Sequence, residues 1–176
     1  MGAILQDLKL TEAGGSATEI VTVADVKIYL QIEGSAYDGP IGIFITAARQ
    51  MIEKLCNVSL MEKTAIATIH ATGYKFTLPY KPVSGITQVR WRKCPSEWVT
   101  LATEDYDTTG NDGITIESSE VGLHEVTYTL GQATDGIYQQ AIKAQAGWMF
   151  NNRDTDKVTA VAPEVNALLA QSYFIG

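Results

Sequence analysis

Two histidines, two cysteines, one acidic run and one basic run are the residues of this chain whose types could carry chemistry. His70 and His124 each fall in strand-like sequence with no acid or cysteine at motif spacing. A lone strand histidine is far more often structural than catalytic. No HExxH, GxSxG, P-loop or GxGxxG pattern occurs. Cys56 and Cys94 form no CxxC pair, which argues against a zinc knuckle or a disulfide scaffold. Cys56 closes an apolar helical stripe, where a buried inert thiol is expected. Asp105-Tyr106-Asp107-Thr108-Thr109-Gly110 places acids and a glycine at the first, third and sixth positions of a calcium loop. The twelfth position is Ile116 where a bidentate glutamate is needed, and strands flank the run. Asp and Gly also crowd ordinary hairpin loops, as Asn111-Asp112-Gly113 does. Arg90, Arg92 and Lys93 around Trp91 could touch nucleic acid, or form a solvated face with partners such as Glu97. These residues therefore lead to an expectation of no catalytic residue, no cofactor site and no metal site. An enzyme or ligand-binding module would instead need a pocket with convergent polar groups around His70, His124 or Asp105.

The chain has 176 residues, 13 basic and 20 acidic, for a net charge of −7. Residues 1–57 carry −3, 58–130 carry −3 and 131–176 carry −1, so no region is basic. Tight electrostatic binding to a phosphate backbone is disfavoured; an acidic wall would let DNA slide past. A hydrophobic fraction of 45% is enough for a real core, and one domain spanning 1–176 is the default at this length. No apolar run is long enough to cross a bilayer, and no secretory signal is read, so no membrane partner is expected.

Helical patterns stand at both ends of the chain, around a strand-rich middle. Residues 1–21 read as irregular, with Gly14-Gly15-Ser16 as a flexible stretch. Thr22 is an N-cap followed by Asp25 in the first turn, and Val23, Val26 and Leu30 make one apolar face ended by Gly34 and Ser35. Asp38 or Gly39 caps a second helix with Pro40 in its first turn. There Ile41, Phe44, Ile45, Ala48, Ile52 and Leu55 repeat at helical spacing, and Arg49, Glu53 and Lys54 fill the wetter side. Asn57 stops it. Thr64–His70 and Tyr74–Leu78 alternate around a predicted hairpin turn at Thr72-Gly73. Further strands fit Ile86–Arg92, Trp98–Leu101, Ile114–Glu117 and Leu123–Leu130, the last with His124, Val126, Tyr128 and Leu130 on one face. Helix returns over 135–152, apolar on more than one side through Ile137, Ala141, Ile142, Ala144, Trp148, Met149 and Phe150. Pro163 opens a final helix to about Ser172. The spacing predicts an α+β fold: a small helical bundle from about 22–57 and 135–172, with an inserted antiparallel β module over about 62–130.

The segment Thr22-Val23-Ala24-Asp25-Val26-Lys27-Ile28-Tyr29-Leu30 resembles the opening of the head-tail connector (adaptor) proteins of tailed bacteriophages. Ala47-Ala48-Arg49 with Ile52-Glu53 continues the resemblance. So does Val126-Thr127-Tyr128-Thr129-Leu130-Gly131 leading to Ala141-Ile142, Trp148 and Asn152-Arg153, and then Pro163-Glu164-Val165 with Leu168-Leu169. The stretch Trp91–Gly113 lies outside it. The resemblance implies a structural virion protein of a phage or prophage, made in the bacterial cytoplasm and placed at the head-tail junction. It implies a homo-oligomeric ring below the portal that extends the DNA channel, with the portal protein and a neck or tail completion protein as partners. DNA would pass without specific binding, and the isolated protein could be a monomer. Another neck or tail completion protein is the neighbouring reading. A ring needs exposed anchors, and Trp148, Phe150, Arg153, Tyr173 and Phe174 are the candidate interface residues. By the same resemblance the apolar ending Ser172-Tyr173-Phe174-Ile175-Gly176 docks against the portal.

Overall fold

The computed structural model describes residues 3–12, 19–110, 115–131, 133 and 136–172, without the side chains of 12, 171 and 172. In chain order the elements are β1 (Ala3–Glu12), α1 (Val23–Leu30), α2 (Asp38–Cys56), β2 (Lys63–Ala71), β3 (Lys75–Thr77) and β4 (Val83–Cys94). Then come β5 (Glu97–Thr100), β6 (Tyr106–Thr109), β7 (Thr115–Ser118), β8 (Gly122–Leu130), α3 (Gly136–Asn151), a 3-10 turn over Asp156–Thr159, and α4 (Pro163–Ser172). They fall into two compact units: 1–17 with 57–133, and 18–56 with 134–176.

The first unit is a sandwich whose named strands all pair antiparallel, and the fold as a whole is α+β. One sheet has the order β1-β2-β8-β4-β5 and the other β3-β7-β6. β2 and β8 alternate buried and half-buried positions because the inward residues meet a single shared core. Across this pair small side chains oppose large ones: Ala65 faces Tyr128 and Ala67 faces Val126. Phe76 and Ile116 from the smaller sheet complete the core, with Leu78 and Leu101. Burying each such large side chain contributes about 1.5–3 kcal/mol.

Two expectations change here. Ala3–Glu12, read as irregular, is a strand on the outer edge of the larger sheet. Its register slips between Leu5 and Asp7, and that bulge breaks the period-two pattern by which a strand is recognised. Thr72-Gly73 is no hairpin turn. β2 pairs with β1 and β8, whereas β3 pairs with β7 in the other sheet, so the chain turns a corner between layers.

The second unit is helical. Thr22 caps α1 in a full capping box, its hydroxyl and amide both donating to the Asp25 carboxylate, which holds that carboxyl below its usual range. α1 ends earlier than Gly34, at Gln31, which takes a left-handed conformation (φ 57°) and donates its amide back to Ile28 and Lys27. Asn57 likewise has φ 52° just after α2, in line with the stop expected there. α3 is the central element of the unit, packed by α1, α2 and α4. Ala141, Ile142, Ala144, Ala146, Gly147, Met149 and Phe150 are all buried, which accounts for a helix that is apolar on several sides. Gly147 lets α1 approach closely: a Cβ there would lie 3.1 Å from Tyr29 Cε1 and 3.2 Å from Leu30 Cδ2.

Arg49 and Glu53 are not on a wet face. Both are buried, at 2% and 4% exposure. Arg49 Nη1 donates to Glu53 at 3.0 Å, and its Nε donates to Glu19 at 2.8 Å. Thr46 Oγ1 donates to the other Glu19 oxygen at 2.9 Å. The stretch before α1 folds back on α2 and brings in the carboxylate that makes burial of the guanidinium tolerable.

Candidate functional site

The most enzyme-like geometry in the molecule is a pair that the sequence did not reveal. Ser118 at the end of β7 and His124 on β8 are brought within 3.0 Å, Oγ to Nε2. His124 Nδ1 lies 3.1 Å from the Gly122 carbonyl, which can only accept, so Nδ1 carries the proton and Nε2 accepts from the serine. Ser118 Oγ in turn accepts from the Glu120 amide. The imidazole packs against the Phe76 ring at 4.8 Å. Burial pushes its pKa below the ordinary histidine value, with the Gly122 bond and the Glu120 charge opposing. The base is thus neutral and hydrogen-bonded to a hydroxyl, as an activated nucleophile requires. Yet His124 is fully buried and Ser118 is 4% exposed, so neither faces a surface that a substrate could reach. The pair ties the β7–β8 turn to the core. His70, by contrast, is exposed on β2, away from this pair on the opposite face of the sheet.

The acidic run Asp105–Gly110 is mostly strand β6, paired with β7, with Asp107 beside Glu117. Asp105 accepts from the Ala102 amide and Asp107 from that of Thr108, so both carboxylates are engaged by nearby backbone. Glu117 also pairs with Lys75. Among the described residues no group of three or more acidic, histidine or cysteine side chains is placed to hold a metal ion. Asn111-Asp112-Gly113 lie outside the described residues.

The basic run forms the β4–β5 hairpin. Arg90 pairs with Glu125 on β8, rather than with Glu97. The guanidinium carbons of Arg90 and Arg92 stand 5.4 and 5.9 Å from the Trp98 ring centre. Trp91 points to the other face and donates to the Val121 carbonyl. Lys93 and Cys94 at the tip are exposed, and Cys56 is half-buried.

In the helical unit, Trp148 is half-buried and donates to the Lys157 carbonyl at 3.1 Å. Phe150 is 8% exposed and meets Tyr37 edge-on at 5.3 Å. Arg153 is exposed, lies 4.6 Å from the Phe150 ring and donates to its carbonyl. Phe150 is therefore an internal support, and Arg153 with Tyr37 forms the surface above it. Gln145 is fully buried and clasps the segment before α4, donating to Ala160 O at 2.9 Å and accepting from Ala162 N at 2.8 Å. Tyr173 and Phe174 lie outside the described residues.

A family model described as head completion protein matches residues 19–163, most of the chain. The chain belongs to the head completion protein family. Its role is structural, in joining head to tail, and its place is the head-tail junction of the virion. The head completion fold also recurs in solved structures. The neck of an empty gene transfer agent particle, computed with C6 symmetry, has a chain 20% identical with a TM-score of 0.71, covering 93% of this chain and 94% of that one. A chain of the native gene transfer agent virion is 22% identical, with a TM-score of 0.71 and 94% coverage of both. The neck of the native particle, computed with C12 symmetry, gives 20% identity and a TM-score of 0.62 over 89% of this chain and 94% of that one. No curated protein matches. At these identities the likenesses speak for a shared fold, across both units. They agree with the resemblance to phage connectors drawn from the helical motifs.

Proposed function

We propose that this head completion protein acts as a ring beneath the portal vertex, extending the DNA channel and presenting a platform to the next neck or tail component. The observation that carries the reading is the family match over 19–163 together with the neck-particle fold, whose relatives occur in symmetric assemblies. The acidic balance of −7 suits a channel wall that DNA slides past. The chemistry suits an assembly part, since the Ser118–His124 pair is sealed in the core. The portal-facing contact is the apolar ending Tyr173-Phe174-Ile175, with Arg153 and Trp148 offering a second surface for the neighbouring component.

The test is to mix the protein with purified portal and follow a co-migrating ring by sedimentation and electron microscopy. The intact chain joins the portal. A chain ending at Gln171 stays folded and fails to join. Normal joining by the shortened chain refutes the docking role of the tail, and absence of any ring with portal refutes the reading as a whole.

A further inference from the structure

The larger sheet ends in two edge strands of unlike length and composition. β1 is ten residues long and presents Ile4, Leu5 and Leu10 at 63%, 45% and 38% exposure. Leu5, Leu8 and Leu10 pair with Ile69, Ala67 and Ala65, so they line the core side, but only Leu8 is packed against the core. Ile4 stands on the outer side, opposite His70. A long edge strand is a template for strand addition, and β1 carries exposed apolar side chains on either side of its bulge. The other edge is β5, four residues, with half-buried Trp98 on the outer side and half-buried Val99 on the core side.

We infer that β1 of one copy adds along β5 of the next, so that the sheets join edge to edge around the ring; this rests on the ring reading above. Direction selects this partner. Every neighbouring pair from β1 to β5 is antiparallel, so across five strands β1 and β5 run the same way. With the small rotation between neighbours in a many-membered ring, a copy roughly keeps that direction, and the joint repeats head to tail until it closes. Pairing of β1 with β1 would be two-fold and would stop at a dimer. The side chains match in the parallel joint: Ile4 meets Trp98 on the outer side while Leu5 meets Val99 on the core side. Charge matches as well. β1 holds Asp7, Lys9 and Glu12, net −1, while the hairpin from Arg90 to Glu97 holds Arg90, Arg92, Lys93 and Glu97, net +2.

The exposed native thiol of Cys94 tests the joint, because Cys94 faces Glu97 across the hairpin at the start of β5. Full-length protein carrying Cys56→Ser and Ala3→Cys is assembled with portal and treated with a short bis-maleimide. Within one copy, positions 3 and 94 belong to opposite halves of the sheet, β1 at one edge and β4 three strands away, about 14 Å at normal strand spacing. Across the joint they are about two strand spacings apart, roughly 10 Å. The expected result is a ladder of covalent dimers, trimers and higher species that Cys94→Ser abolishes. Dimers that persist with Cys94→Ser mean β1 meets β1, and overturn the inference. Rings without cross-links overturn it and leave the ring reading standing; no ring at all overturns both. Asp7→Lys provides a second measure: ring yield falls several-fold, and unchanged yield also overturns the inference.

Discussion

Replacing Arg49 by methionine removes the guanidinium paired with a buried carboxylate, and the cost can be worked from the geometry. Glu53 is 6% exposed at its side chain and accepts from Arg49 Nη1 at 3.0 Å. Glu19 is 26% exposed, and it keeps the Thr46 hydroxyl when Arg49 is gone. Water therefore reaches Glu19 more readily than Glu53. Removing one partner of a buried ion pair costs roughly 3–5 kcal/mol, whereas replacing both by apolar groups is often neutral. Arg49→Met should lose about 3–5 kcal/mol, or roughly 6–20 °C in Tm at about 2–4 °C per kcal/mol for a chain of this size. Arg49→Met with Glu53→Leu should recover most of that, a coupling of about 2–3 kcal/mol. The assay is urea unfolding read by hydrogen exchange over α2 and α3, which reports on the helical unit separately from the sandwich. A loss below about 1 kcal/mol for the single change, or simple additivity in the double, would refute the argument.

Three further outcomes follow from buried contacts. Because burial depresses the folded pKa of His124, the folded protein keeps the imidazole neutral while the unfolded chain takes a proton near pH 6.5. Stability should hold above about pH 6.5 and fall as pH drops below it toward the folded pKa; a titration of unfolding free energy in which His124→Asn keeps the same slope would contradict this. Gln145→Leu should leave the Ala162 amide and Ala160 carbonyl unpaired, cost about 1–3 kcal/mol, and speed exchange of the Ala162 amide before it affects α3. Gly147→Val should force Tyr29 and Leu30 away from α3 at about 1–3 kcal/mol, seen as lost protection in α1; an unchanged α1 would show that the close approach is not needed.

What could be read from the chain depended on how local its signal was. Thr22 with Asp25, Asn57 and Pro163 act within a few residues of themselves, and the helices they bound lie where those residues place them. The inward face of β8 was legible for the same reason, since alternation is a property of one strand. The charge of Arg49 and Glu53 suggests a wet face, but their spacing places them on the buried one. They continue the row of Ile45, Ala48 and Ile52 at three- and four-residue steps, and that row is buried. The Ser118–His124 pair was beyond reach, because strand register and the shape of the β7–β8 turn decide whether two residues six apart touch.

The same distinction bears on assembly. The family model matches residues 19–163. β1 precedes that span, and α4 with the apolar ending lies almost wholly beyond it. These outlying segments are the ones proposed to meet a neighbouring copy and the portal. An edge strand with one half-buried leucine and three exposed apolar side chains gains little from its own sandwich, so its sequence has weak reason to alternate regularly. Its apolar content makes physical sense once a second chain covers it. A contact residue is selected by a surface that its own fold does not contain, so an interface of the kind proposed would be harder to read from sequence than the helices.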